Sequence, residues 1–124
     1  MPVWIVGSTY LANSLSVQPQ AMILLDMIGD TDQKIYFDGN SDPALSQKMW
    51  GIAAQLGYGD HFIPQVKYTM TDDHIPFARR GIPSTDIIDF DYPYWHTIAD
   101  TADKVSSDSL ERVGRTLQVF LESA

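Results

Sequence analysis

The chain predicts a layered α/β/α fold with a mixed, mainly parallel sheet, organised as one domain over residues 1–124. Three observations carry this expectation. The segment "AMILLDMIGD" is a continuous apolar run broken by one acid, the pattern of a strand covered on both faces. Two later segments repeat apolar residues at helical spacing, and strand-like runs alternate with them.

Taken in order, "MPVWIVGSTYLANSL" opens with an apolar run at 3–6 that reads as the end of a strand, with Gly7 and Ser8 starting a helical turn. The strand of "AMILLDMIGD" then ends near Asp26, ahead of Gly29. "KIYFDGNSDP" alternates and breaks at Gly39, Asn40 and Pro43, which reads as a strand followed by a turn. Asp42 suits the cap of the next helix and Pro43 its first position. Leu45, Met49, Ile52, Ala53 and Leu56 fall on one face of that helix, and Gly57 supplies its stop.

"TDDHIPFARRGIPSTDIIDF" predicts a short helix capped by Asp72 or Asp73, ended by Gly81 and followed by a strand over 85–90. In "SSDSLERVGRTLQVFLES", Asp108 and Glu111 stand at capping-box spacing. Leu110, Val113, Leu117 and Phe120 or Leu121 form the stripe expected to face the sheet.

Composition narrows the function. The chain has 124 residues, a formal net charge of -8 and no basic cluster, which argues against a nucleic-acid partner. Fourteen aspartates stand against two glutamates, and aspartate is the acid favoured at turns, caps and oxygen-donor metal sites. There is no cysteine, so thiolate zinc sites and disulfides are excluded. No apolar run reaches the roughly 20 residues of a membrane span, and the N-terminus lacks signal-peptide character; the expectation is a soluble chain without a membrane partner.

Three groups of residues could carry chemistry. Asp26 follows Leu24 and Leu25 in an apolar run, and a carboxylate there needs a hydrogen bond or a cation; capping a turn would serve equally. His96 sits in "IDFDYPYWHTIADTADK", where one imidazole lies among Phe90, Tyr92, Tyr94, Trp95 and several aspartates. It suits zinc, although spacing alone favours a satisfied structural histidine. In "TDDHIPF", one of Asp72 and Asp73 is the expected helix cap, which frees the other to hold a ligand or shuttle a proton, with His74 in support. The aromatic residues near His96 suit either a core or the wall of a substrate pocket.

"MILLDMIGD", "TDDHIPFARRGIP" and "IDFDYPYWHTIADTADK" together resemble the C-terminal half of the M28 family of zinc-dependent aminopeptidases, particularly its glutaminyl cyclase-like branch. The resemblance runs from about residue 3 to the end and implies a truncated zinc-exopeptidase fold, of the phosphorylase/hydrolase-like kind. It implies that His96 is a zinc ligand, and that Asp26 either binds a second metal or joins an active-site hydrogen-bond network. Asp72 becomes an active-site acid, Trp95 a wall of the substrate pocket, and Tyr92 and Asp73 further pocket residues.

The implied substrate is a peptide or small amide. A cyclase would release ammonia from an N-terminal glutamine; a peptidase would release a free amino acid. The family's remaining zinc ligands and its general-base acid lie upstream of the residues matched, and the chain contains neither an H-x-D motif nor a Glu-Glu pair. With at most two matched ligands where a catalytic zinc takes three, the chain alone is expected to bind zinc weakly and to catalyse little. The longer parent would be the enzyme, in a secreted or periplasmic setting. The competing expectation is an inactive half-domain that binds or self-associates through exposed sheet edges.

Overall fold

The computed structural model describes residues 3–123, and every structural statement below concerns those residues. Helix α1 spans Val6–Ser14, preceded by a 3-10 turn over Val3–Ile5. There follow β1 (Met22–Asp26), β2 (Ile35–Asp38), α2 (Pro43–Gln55), β3 (Phe62–Tyr68), α3 (Ile75–Arg79), β4 (Ser84–Ile88) and α4 (Ser107–Glu122), with a second 3-10 turn over Ala102–Lys104.

The strands form two parallel pairs. β1 pairs with β4 from Met22 opposite Ser84 to Asp26 opposite Ile88, and β2 pairs with β3 from Ile35 opposite Phe62 to Asp38 opposite Tyr68. The β2–β3 register shifts on both sides of Phe37. β2 and β4 lie side by side without a ladder between them. Bonds at the strand ends and turns join the pairs instead: Asp42 N donates to Ser84 O (2.7 Å), Asp86 N to Ser41 Oγ (2.9 Å) and Lys34 N to Asp89 Oδ2 (3.1 Å). The antiparallel element is one isolated bridge, Asp30 to Val105.

Side-chain alternation along β4 separates two faces. Thr85 and Ile87 turn toward α2 and α4: Thr85 Oγ1 lies 2.9 Å from Ser46 Oγ, and Ile87 joins Ile35, Met49, Trp50, Ala53, Phe62, Val113 and Phe120 in the main core. Asp86 points the other way, toward His74 at the start of α3. On that side Ala12, Phe77 and Ile82 form a smaller core between α1 and α3. Trp50 organises the larger core. Its ring meets Phe37 and Phe62 at 5.1 and 5.3 Å, and its indole N–H donates to Ile35 O (3.2 Å).

Several expectations meet the structure directly. Asp42 caps α2 by accepting from Leu45 N (2.8 Å) with Pro43 at the first position, and Gly57 and Gly81 take the left-handed φ values of 90° and 77° that end α2 and α3.

Others are corrected. Residues 3–6 are helical rather than a strand, since no neighbouring strand offers them a ladder. β1 is not covered on both faces: Leu25 is 41% exposed on a face over which no helix packs closely. Neither Asp72 nor Asp73 caps α3; Asp72 Oδ1 instead accepts from the N–H of Asp73, and His74 holds the capping position without a side-chain bond. Ser106, not Asp108, caps α4, accepting from Ser109 N (3.1 Å). This moves the helix start by two residues, and Leu110 and Leu121 lie outside the buried stripe. β4 ends at Ile88, short of the expected residue 90.

Candidate active site

Parallel strands deliver their following loops to one end of the sheet, and that end is where open α/β sheets bind ligands. Asp26 is the last residue of β1. It stands opposite Ile88, the last residue of β4, so the loop carrying residues 89–96 leaves the sheet beside it. The loop after β3 brings Asp72 and Asp73 to the same neighbourhood.

The acids of this site lack basic partners. Burial first, then the adjoining Asp72 carboxylate and the charge of Asp73, push the Asp26 carboxyl up to about 6. Behind Asp72 lies Asp86, fully buried, with no hydrogen-bond partner for either oxygen. Burial, and then the charges of Asp72, Asp38 and Asp26, raise its carboxyl to about 9, which keeps it protonated at neutral pH. His74 is completely buried between two acids. Its Nε2 lies 2.8 Å from Asp38 Oδ2, while its Nδ1 has no partner and stands 3.8 Å from Asp86 Oδ2, beyond hydrogen-bond reach. Asp38 is the saturated member. Its burial is outweighed by bonds from His74, Met70 N (2.6 Å) and Ser41 Oγ (2.8 Å), which hold its carboxyl below the ordinary value.

Asp38, His74 and Asp86 form the one group of three metal-ligating side chains whose donor atoms lie within 4.8 Å of one another. Asp38 spends its oxygens on hydrogen bonds, so this trio works as a polar support beneath Asp72, the supporting part expected of His74.

His96 and the aromatic residues form a second cluster. The imidazole is exposed and stacks on Trp95 with ring centres 4.1 Å apart and planes 17° off parallel. Its backbone holds φ at 56°, a conformation uncommon outside glycine. Phe90 meets Trp95 edge-on at 5.2 Å. Tyr92 is buried, donates to Asp100, and lines a cavity of about 120 Å3 with Met27, Gly29 and Asp30. Trp95 remains 44% exposed at the surface of the loop.

The structure thus joins Asp26, Asp72 and Asp73 in one acidic cluster and Trp95 and His96 in one aromatic cluster, with Tyr92 one step removed. No hydrogen bond or ion pair links His96 to Asp26. Two cavities of about 640 and 550 Å3 lie against α2 and away from these carboxylates, so volume does not mark the site.

Zinc fits these donors. Neither ring nitrogen of His96 is hydrogen-bonded, and the elevated carboxyl of Asp26 has Asp72 and Asp73 as its charged neighbours, with only a backbone bond from Met27 to offset them, a charge arrangement that a cation would relieve. Sequence reasoning missed Asp38, Asp86 and the buried Asp89, whose carboxyl is pushed to about 8 by burial and by Asp30. The signal was available for Asp86 and Asp89: both stand in "STDIID", acids inside a strand-like apolar run, as Asp26 does.

Comparison with known proteins agrees with this geometry. Residues 3–121 match the model of peptidase family M28. A glutaminyl-peptide cyclotransferase from Boiga irregularis is 38% identical over 111 residues, which cover 80% of this chain and 30% of that protein. The structure of Porphyromonas gingivalis glutaminyl cyclase superimposes with a TM-score of 0.91 at 34% identity, over 97% of this chain and 49% of that one. A zinc-dependent exopeptidase from Parabacteroides distasonis gives 0.85 at 29% identity, over 90% and 43%. The chain therefore spans about a third to a half of the length of these relatives.

Proposed function

This chain belongs to peptidase family M28, and from that premise we propose that it carries the distal part of a zinc-dependent active site acting on peptide N-termini in the manner of a glutaminyl cyclase. The observation that carries the reading is the position of Asp26: a strand-end carboxyl titrating near 6, backed by Asp72 and set beside the loop that bears His96. The cyclase form is favoured over the exopeptidase form because the curated relatives that match the chain are glutaminyl-peptide cyclotransferases.

In this reading His96 would hold the metal, and Asp26 stands with Asp72 in the hydrogen-bond network beside it, the alternative being that Asp26 is itself a ligand. When bound, zinc supplies a Lewis acid that polarises the substrate's side-chain amide carbonyl. Asp26 and Asp72 hold and pass a proton as the α-amine attacks and ammonia leaves, a task suited to a carboxyl titrating near neutral pH. Trp95 offers an exposed indole face to the substrate, and Asp73 and Tyr92 bound the pocket. Catalysis belongs to a complete site: the chain alone, with at most two of the three protein ligands that a catalytic zinc takes, is proposed to bind zinc weakly and to turn over little.

Incubating the chain with zinc and a glutamine-initiated peptide separates the forms, since ammonia marks the cyclase and a free amino acid the exopeptidase; neither product removes catalysis by the chain itself. Zinc titration of His96→Ala tests the ligand assignment, and unchanged binding would refute it.

A second reading, a self-associating module without catalysis, is favoured by the outer edge of β1, which has no strand partner and presents Leu25. A monomer by light scattering at high concentration counts against it. No helix of the described residues is long and apolar enough to cross a membrane.

A further inference from the structure

The loop bearing Trp95 and His96 has little backbone support of its own. Its backbone bonds are local turns, Tyr92 N to Asp89 O (3.4 Å), Trp95 N to Tyr92 O (3.4 Å) and Thr97 N to Tyr94 O (3.0 Å). The φ of 56° at His96 adds a strain that something outside the turn has to hold.

Among the described residues, the hydrogen bonds and ion pairs from 90–97 to a strand or helix all converge on Asp91. Tyr68 OH donates to Asp91 Oδ1, and Lys67 Nζ lies 2.7 Å from Asp91 Oδ2. Adjacent strand residues ordinarily point to opposite faces. Here the register shifts of β2 against β3 flank the Phe37 pairing with Val66, and they let Lys67 and Tyr68 reach one carboxylate.

An aromatic series extends the tie: Tyr68 meets Phe90 edge-on at 5.0 Å, Phe90 meets Trp95 at 5.2 Å, and Trp95 stacks on His96. Burial alone would raise the Asp91 carboxyl, yet the bonds from Lys67 and Tyr68 outweigh it and hold it below its ordinary value, so the grip stays ionised at neutral pH.

We propose that Asp91, gripped by Tyr68 and Lys67 of β3, is a positioning residue that fixes Trp95 and His96 at the mouth of the site. Its bearing on catalysis rests on the zinc-site reading above; the tether itself does not.

The test reads the tether without activity. In the intact chain at one fixed pH, the Cε1–H resonance of His96, assigned through His96→Gln, is shifted upfield by the Trp95 ring beneath it. Asp91→Ala is expected to move that resonance toward the value of free histidine, and Asp91→Asn, whose single amide oxygen can keep the bond from Tyr68 while the pairing with Lys67 is lost, to keep part of the shift. Tyr68→Phe, which preserves the ring packing, is expected to fall between them. Zinc affinity in the same variants should drop about tenfold for Asp91→Ala, the usual scale for groups that orient a ligand.

An unmoved resonance in Asp91→Ala overturns the proposal, and if that variant fails to fold, an unmoved resonance in Tyr68→Phe does so. A resonance that moves while zinc binding is indifferent to both Asp91→Ala and His96→Ala upholds the tether and removes the metal reading.

Discussion

Replacing Asp86 with asparagine should flatten the chain's stability against pH. The folded carboxyl holds its proton up to about 9, whereas the unfolded one releases it near 3.8. Between those values the folded state binds one more proton than the unfolded state, so stability is lost as pH rises, by about 1.4 kcal/mol per pH unit. This contribution is fully present below 3.8 and gone above about 9. From pH 5 to pH 8, Asp86 alone accounts for a loss of about 4 kcal/mol. The figure holds over that interval because the unfolded value lies below 5 and the folded one above 8.

Asparagine keeps the shape and carries no such proton. Urea unfolding of both proteins at pH 5, 6, 7 and 8, followed through Trp50 fluorescence, should give curves that diverge in favour of Asp86→Asn with increasing pH. The elevated Asp89 titrates in both proteins and cancels in the comparison. Parallel curves would mean that Asp86 is ionised in the fold, and would undo the account of a protonated acid beneath Asp72.

Met49→Ala should cost about 2–5 kcal/mol in the same unfolding assay, since the side chain is fully buried against the main core and leaves a cavity. Asp42→Ala, which removes the bond to Leu45 N, should cost about 1 kcal/mol, and a loss below 0.3 kcal/mol would deny the cap its role. Asp72→Asn should lower the titration midpoint of Asp26 from about 6, because the adjoining charge is gone; carboxyl carbon NMR against pH reads it, and an unchanged midpoint would mean burial alone sets the value.

What was legible in the sequence followed from local rules. α2 could be read because Asp42, Pro43 and Gly57 mark its ends and Leu45, Met49 and Ala53 fix its buried face. Asp26 stood out as an acid at the end of an apolar run, and its place at the strand end follows from the glycine beyond. What was illegible depends on partners distant in sequence. β3 contains Pro64 and a mostly exposed face, so neither alternation nor composition marks it; only pairing with β2 makes it a strand. The opening apolar run was read as a strand because four residues have no period, and α1 packing against α3 decides otherwise. Asp38 carries no local signal of its own, yet it bonds to His74 across 36 positions of chain. The nearness of Asp26 to the start of the loop that carries His96 rests on β1 and β4 being neighbours, which no local pattern states.

The seam between β2 and β4 has a mechanical consequence. The β1–β4 pair is a continuous ladder and the β2–β3 pair a ladder with shifted register, while the two pairs are fastened by a few clasps, one of them a single serine hydroxyl. A molecule built this way should breathe along the seam before it melts. The amide of Asp86, held by Ser41, should exchange with solvent sooner than that of Trp50 inside α2, and removing the hydroxyl in Ser41→Ala should widen the gap. Because Asp26 rides on one pair while Asp72 follows the other, such breathing would move the two carboxyls of the acidic cluster against each other.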